Sequence, residues 1–158
     1  MLPTVWLRRN DKFDMSWLEQ ALTTLEDNTF ISPVYILGNG WPDADRETAA
    51  LTLIRALASN RSAPTLVLKD AIFNAEKHQA LTETFQENNF LEKVGMYNLS
   101  NENGQRYQVP STLFQSPCLR SVHLQRCHLE LNACKALAMA IREGNNFRNL
   151  SLDNVEFD

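Results

Sequence analysis

Apolar residues return every 28 positions along this chain. Leu66, Val94, Val122 and Leu150 form one series, Leu68, Met96, Leu124 and Leu152 a second, and Ala63, Leu91, Leu119 and Phe147 a third. Each set reads apolar-x-x-apolar-x-apolar, and the phase recurs fifteen and nineteen residues later at Leu81/Phe85, Val109/Leu113 and Leu137/Ile141. Self-similarity at a fixed period of this length is the signature of a solenoid. Toward the N-terminus the match persists with small slips: Val34 and Ile36 lie 29 beyond Val5 and Leu7, and Leu51 and Ile54 lie 29 beyond Leu22 and Leu25. The pattern predicts one domain over 1–158, with units at about 2–30, 31–62, 63–90, 91–118 and 119–146 and a partial unit at 147–158. The extra residues of the second unit fall in the turn-rich stretch Gly38-Asn39-Gly40-Trp41-Pro42-Asp43.

Each unit divides into a strand and a helix. Period-two alternation predicts strands at 4–8, 33–37, 65–69, 93–97, 121–125 and 149–153. Ser16-x-x-Glu19 reads as a capping box opening a helix to about Glu26. Asp45 is placed to cap 46–58, Asn74 to cap 75–87, and Asn132 to cap 133–143 before Gly144. The fourth unit is the exception. Its helical half contains Asn101, Asn103, Gly104 and Pro110, which leaves only 110–116 for a helix and predicts that 101–116 is the least protected part of the array.

A unit of this size cannot cover its own two open faces, so neighbours must stack. Stacked strands sit about 4.8 Å apart and packed helices about 8–10 Å. That mismatch bends the array into a horseshoe, strands on the concave side and helices on the convex side. The expected fold class is therefore an α/β solenoid of about five units plus a terminal strand.

The fifth unit carries a family resemblance. Leu119-Arg-Ser-Val122-His-Leu124-Gln-Arg-Cys127-His-Leu129, followed by Leu137-Ala138 and Ile141-Arg142, resembles the ribonuclease-inhibitor-like type of leucine-rich repeat. The third unit matches reasonably and the first, second and fourth loosely. The resemblance implies a protein–protein interaction scaffold that binds on its concave face. Some members of the family regulate (activate) small GTPases, and others are sensor segments of larger receptors. In the family an Asn or Cys satisfies buried backbone groups where Cys127 stands. Ala71, Leu99 and Val155 occupy the equivalent places here, which argues against a regular ladder at that turn.

Composition narrows the function by exclusion. The chain is 44% hydrophobic with a net charge of −4 and no long run of like charges, so it lacks the basic footprint of a nucleic-acid binder. No apolar run approaches the ~20 residues of a membrane helix, and Arg8 and Arg9 interrupt the N-terminal apolar patch too early for a signal peptide. Cys118, Cys127 and Cys134 are an odd, sparse set that suits reduced thiols in the cytoplasm. The Asn-x-Ser sequons at Asn60, Asn98 and Asn149 then have no secretory context.

Candidate chemistry disperses in the repeat frame. His123 is expected on the concave surface, Cys127 in the core and Cys134 on the helix, whereas zinc needs four ligands converging at about 2.0–2.3 Å. The Cys–His pairs lack an orienting third group, and Gly38-Asn39-Gly40 lacks the lysine of a phosphate cradle. Asp43, Asp45 and Glu47 suit a helix N-terminus. No cofactor, metal or catalytic activity is expected.

The concave face offers the sharper candidate. One column of outward strand residues reads Trp6, Tyr35, Val67, Gly95, His123 and Ser151, the next Arg8, Leu37, Lys69, Tyr97, Gln125 and Asp153, and a third Arg9, Asp70, Asn98 and Arg126. Aromatic residues and arginine are enriched at binding hot spots, so the expected protein-binding set is Trp6, Arg8, Tyr35, Lys69, Tyr97, His123, Gln125 and Arg126. A change on the convex side such as Lys77→Ala is expected to be silent in that binding. Phe147, Leu150, Leu152, Val155 and Phe157 repeat the inward pattern with nothing predicted to cover them, which points to self-association, a longer array, or a partner at that end.

Overall fold

A computed structural model describes residues 5–7, 15–27, 33–38, 44–143 and 147–158. In chain order the elements are β1 (Val5–Leu7), α1 (Met15–Glu26), β2 (Val34–Leu37), α2 (Ala44–Ser59), β3 (Thr65–Lys69), β4 (Ile72–Phe73), α3 (Ala75–Glu87), β5 (Lys93–Tyr97), β6 (Ser100–Asn101), a 3-10 helix at Ser111–Gln115, β7 (Ser121–Gln125), β8 (His128–Leu129), α4 (Leu131–Arg142), β9 (Asn149–Asp153) and β10 (Glu156–Phe157). The main sheet is parallel throughout, with order β1-β2-β3-β5-β7-β9. Between β3 and β9 its register follows the sequence period: Leu66 pairs with Val94, Val94 with Val122, and Val122 with Leu150. The helices pack in the same succession on one face, α1 on α2, α2 on α3, α3 and α4 on the 3-10 helix.

The core lies between these layers. Val34, Ile36, Leu66, Leu68, Val94, Met96, Val122 and Leu124 point into it from the strands, and Leu53, Ile54, Leu57, Leu81, Phe85 and Leu137 meet them from the helices. Alternate strand residues point to the opposite, helix-free face, as a period of two requires.

The helix starts differ from expectation in three places. Asn74 does cap α3, its side chain accepting from the Lys77 N–H at 2.9 Å. In α4, however, Glu130 rather than Asn132 occupies the cap position, and the Cys134 N–H bonds the Glu130 carbonyl, so the helix begins at Leu131. Asp45 and Ser16 fall inside the first turns of α2 and α1 rather than before them. The expected end of α4 at Gly144 and most of the 38–43 turn lie outside the described residues, as do Arg8 and Arg9.

Two asparagines 28 apart tie successive units together. Asn88 is buried. Its Oδ1 accepts from the Phe90 and Leu91 N–H groups at 2.7 and 2.8 Å, and its Nδ2 donates to the Leu57 and Asn60 carbonyls. Asn60 repeats the arrangement, accepting from Ser62 and Ala63 and donating to the Leu25 carbonyl at 2.6 Å. The ladder lies at the helix-to-strand turn, opposite the position of Cys127. The sequon at Asn60 therefore consists of a side chain 2% exposed with both functional atoms committed.

The turn at Cys127 is more regular than the sequence implied. β4 pairs with β6 and β8 with β10, so backbone groups satisfy one another without an Asn side chain. The irregular fourth unit contributes to this second ladder. Tyr107 N–H bonds the Leu99 carbonyl, His128 N–H the Tyr107 carbonyl, and Val109 N–H the His128 carbonyl, which inserts 105–109 between β6 and β8. Tyr107, Val109, Leu113 and Phe114 are buried. Residues 106–116 thus form a packed segment, with Pro110 just before the 3-10 helix, while 102–105 are exposed.

A half-buried histidine is bonded to that segment. Burial holds the Tyr107 phenol far above its ordinary range, so it keeps its proton, and its hydroxyl is hydrogen-bonded to Nδ1 of His78 at 3.0 Å. His78 itself is held below its ordinary value of 6.5, by desolvation against the opposing pull of Glu130. A depressed histidine binds fewer protons folded than unfolded. Its contribution is complete above the ordinary value and is lost as pH falls from there through the folded value. Urea midpoints compared between about pH 7.5 and about pH 5 should fall less in His78→Gln, whose amide can still pair with the Tyr107 hydroxyl, than in wild type.

Candidate protein-binding face

The helix-free face is organised by strand register. Trp6, Tyr35, Val67, Gly95, His123 and Ser151 are successive partners across six strands, and Leu37, Lys69, Tyr97, Gln125 and Asp153 are partners across five. Trp6 and Tyr35 stack with ring centroids 3.9 Å apart and planes 5° from parallel. Both are half-buried, as are Val67 and Tyr97.

Gly95 explains how the aromatic strip continues. A Cβ built at that position would stand 2.6 Å from Cε2 of Tyr97 and 3.1 Å from its hydroxyl. The Tyr97 ring therefore lies folded back over Gly95 and flat along the sheet, which only a residue without a side chain permits. Burial raises the Tyr97 phenol above its ordinary value, and the neighbouring Tyr35 adds to the shift. His123 is exposed beside this strip.

A polar rim runs along the C-terminal ends of the strands. Asp70, Asn98, Arg126 and Asn154 each follow a strand and each has φ between 51° and 54°. They are spaced at the 28-residue period. The left-handed backbone turns the chain out of the sheet while the N–H of Asp70, Asn98 and Arg126 reaches the carbonyl of Tyr97, Gln125 and Asp153 respectively, at 2.9 to 3.0 Å. Asn and Asp tolerate this conformation, and Arg126 bears its cost. Asn98 donates to Asp70 at 2.8 Å and Gln125 to Asp153 at 2.7 Å. With Lys69 and Arg126 these residues line a shallow groove of about 490 Å³.

The structure thus brings Trp6, Tyr35, Lys69, Tyr97, His123, Gln125 and Arg126 onto one face, while Arg8 lies outside the described residues. Sequence reasoning missed Arg106. From the irregular segment it bonds the carbonyl and, at 3.2 Å, the side-chain oxygen of Asn154, and its Nε stands 3.1 Å from Glu156. No repeat-based signal marks it, because its unit departs from the pattern there.

The thiols lie elsewhere. Cys127 is fully buried on the helix side of the sheet, its Sγ directed at the Gln125 and Met96 carbonyls. Burial pushes it up to about 11, overcoming the Gln125 contact and the nearby Arg106 charge, so it stays a thiol. Cys134 turns its Sγ toward the Leu129 carbonyl.

With a one-directional parallel sheet, helices on one face and a register equal to the sequence period, the chain can be compared with known folds. The C-terminal domain of tropomodulin from Caenorhabditis elegans superposes with a TM-score of 0.62 at 13% identity, over 89% of this chain and 82% of that one. This chain has a leucine-rich-repeat-like fold. No protein-family model matches the sequence, and no curated protein does. Among the described residues no helix is long and apolar enough to cross a membrane.

Proposed function

We propose that this chain is a non-enzymatic interaction scaffold, a horseshoe of five ribonuclease-inhibitor-like units in the cytoplasm, which binds a protein partner on its concave, helix-free face. The observation that carries this reading is the aromatic strip made by the stacked Trp6–Tyr35 pair and the Tyr97 ring laid over Gly95. Large, flat, half-exposed rings supply contact area at small entropic cost. The rim beside them, with Lys69 and Arg126 next to Asp70 and Asp153, supplies the mixed polar border that protein interfaces favour.

The test begins with a partner captured from the native source. Trp6→Ala, Tyr35→Ala and Tyr97→Ala should each weaken that partner by about 1–3 kcal/mol. Gln86→Ala, exposed on the helix side, is the control. Titration calorimetry that finds equal affinity for the triple variant, with circular dichroism unchanged, would place the interface on another surface.

A further inference from the structure

The β9 end exposes apolar residues whose neighbours in the preceding units named below are buried. Leu150 and Leu152 are each 38% exposed, whereas their register partners Val122 and Leu124 are 0% and 1%. Ile141 is 55% exposed, while Leu113 and Phe85, which precede it at the 28-residue period, are 0% and 2%. Phe157 is 55% exposed beside Leu129, at 0%. The opposite edge of the sheet differs, since Val5 and Leu7 on β1 are buried.

The free backbone groups of β9 follow from its bonds. Asn149 donates its N–H to the Arg120 carbonyl and Asp153 accepts from the Arg126 N–H, so residues 149, 151 and 153 face β7. Alternation along a strand then turns the N–H and C=O of Leu150 and Leu152 to the open edge. The sequence of the strand, Asn-Leu-Ser-Leu-Asp, is self-complementary about Ser151. Run antiparallel against a second copy of itself, it sets Leu150 opposite Leu152 of the other copy, Asn149 opposite Asp153, and Ser151 opposite Ser151.

We propose that two copies of this chain pair through β9, antiparallel and centred on Ser151, to form one twelve-stranded sheet. In this register the outward-turned groups of Leu150 and Leu152 meet as hydrogen-bonded pairs, four bonds in all, and both leucines stay on the helix side. The Asn149 amide meets the partner's Asp153 carboxylate on the helix-free face. Other antiparallel registers shorten the overlap and lose that amide–carboxylate match. A head-to-tail arrangement would need an exposed apolar strand at β1, and Val5 and Leu7 do not offer one. The contact is therefore isologous and closes at two copies. It is independent of the partner-binding reading above, since it uses the strand edge rather than the aromatic strip.

The dyad gives a direct test. Ser151 falls at a non-hydrogen-bonded pair, where Cα atoms approach to about 4.5 Å, within the range of about 4.4–6.8 Å that a disulfide spans. Under mild oxidation Ser151→Cys should form a covalent dimer on a non-reducing gel, well above the background of the native thiols in wild type. Asn149→Cys, which faces the partner's Asp153, should not. Ser151→Lys sets two like charges opposite each other and should raise the dimer dissociation constant by about tenfold or more, with circular dichroism unchanged. Sedimentation equilibrium of wild type should fit monomer and dimer alone. A monomer at the highest attainable concentration, growth beyond two copies, cross-linking of Ser151→Cys no stronger than wild type, or undiminished pairing of Ser151→Lys would each overturn the proposal.

Discussion

Asn88→Ala should lower the free energy of unfolding by about 4 kcal/mol, the largest loss expected from any single polar side chain here. The Asn88 amide serves the Phe90 and Leu91 N–H groups of its own turn and two buried carbonyls of the preceding unit. Alanine leaves all four without that partner, in a place where Asn88 is 1% exposed and water has little access. The loss comes from backbone groups deprived of a partner, at about 1–3 kcal/mol each, and is smaller at the Leu57 carbonyl, which keeps the Asn60 N–H at 3.2 Å, and at the part-buried Phe90 N–H. In a domain of this size it amounts to a fall of roughly 10 °C in Tm. Asn88→Asp should recover part of the loss, because a carboxylate accepts the two N–H groups yet cannot donate to the two carbonyls. Urea titration of the three proteins checks this order; an alanine variant as stable as wild type would mean that the turn is held by packing alone.

Lys77→Ala, a convex-side change expected to leave partner binding alone, is the second large effect on stability. The Lys77 side chain is 6% exposed. Its ammonium bonds the Glu47 carboxylate and the Ile72 carbonyl and stands 5.7 Å from the centre of the Phe73 ring. Its stem closes a small cavity lined by Ile36, Ala50, Ile54 and Phe73. Truncation removes the donor to the part-buried Ile72 carbonyl and widens that cavity, while Glu47, whose side chain is 38% exposed, turns to water. The expected cost is about 3 kcal/mol. Lys77→Met keeps the stem and loses only the charge, so its denaturant midpoint should fall between those of alanine and wild type. A methionine variant matching alanine would assign the whole effect to the ion pair.

The contrast between these two residues shows what the sequence could carry. Strands β3, β5, β7 and β9 have their expected bounds because inward apolar residues recur at the repeat period, and in β3, β5 and β7 a slip of one residue would expose all of them. Asn74 was legible as a cap because its role is local, three residues from the N–H it serves. Asn88 was not, since its partners lie 28 and 31 residues away and depend on how two turns stack. The burial of Lys77 was illegible for a related reason: by type it belongs in water, and only the fold reveals Glu47 and the Ile72 carbonyl beside its ammonium. On the helix-free face, the columns were legible from strand parity alone, whereas the posture of Tyr97 needed the missing side chain of Gly95. The left-handed positions carried a signal that went unread, Asp70, Asn98 and Asn154 at the repeat period, masked by Arg126 among them.

Cys127 gives the molecule an internal clock. Its thiol is sealed beneath the sheet and held in the protonated form, while Cys118 and Cys134 are only partly covered. A thiol reagent at neutral pH meets those two in the closed protein and Cys127 only when the layers part. The rate of the slowest labelling event therefore measures how often this part of the array opens, on a chain carrying no added probe.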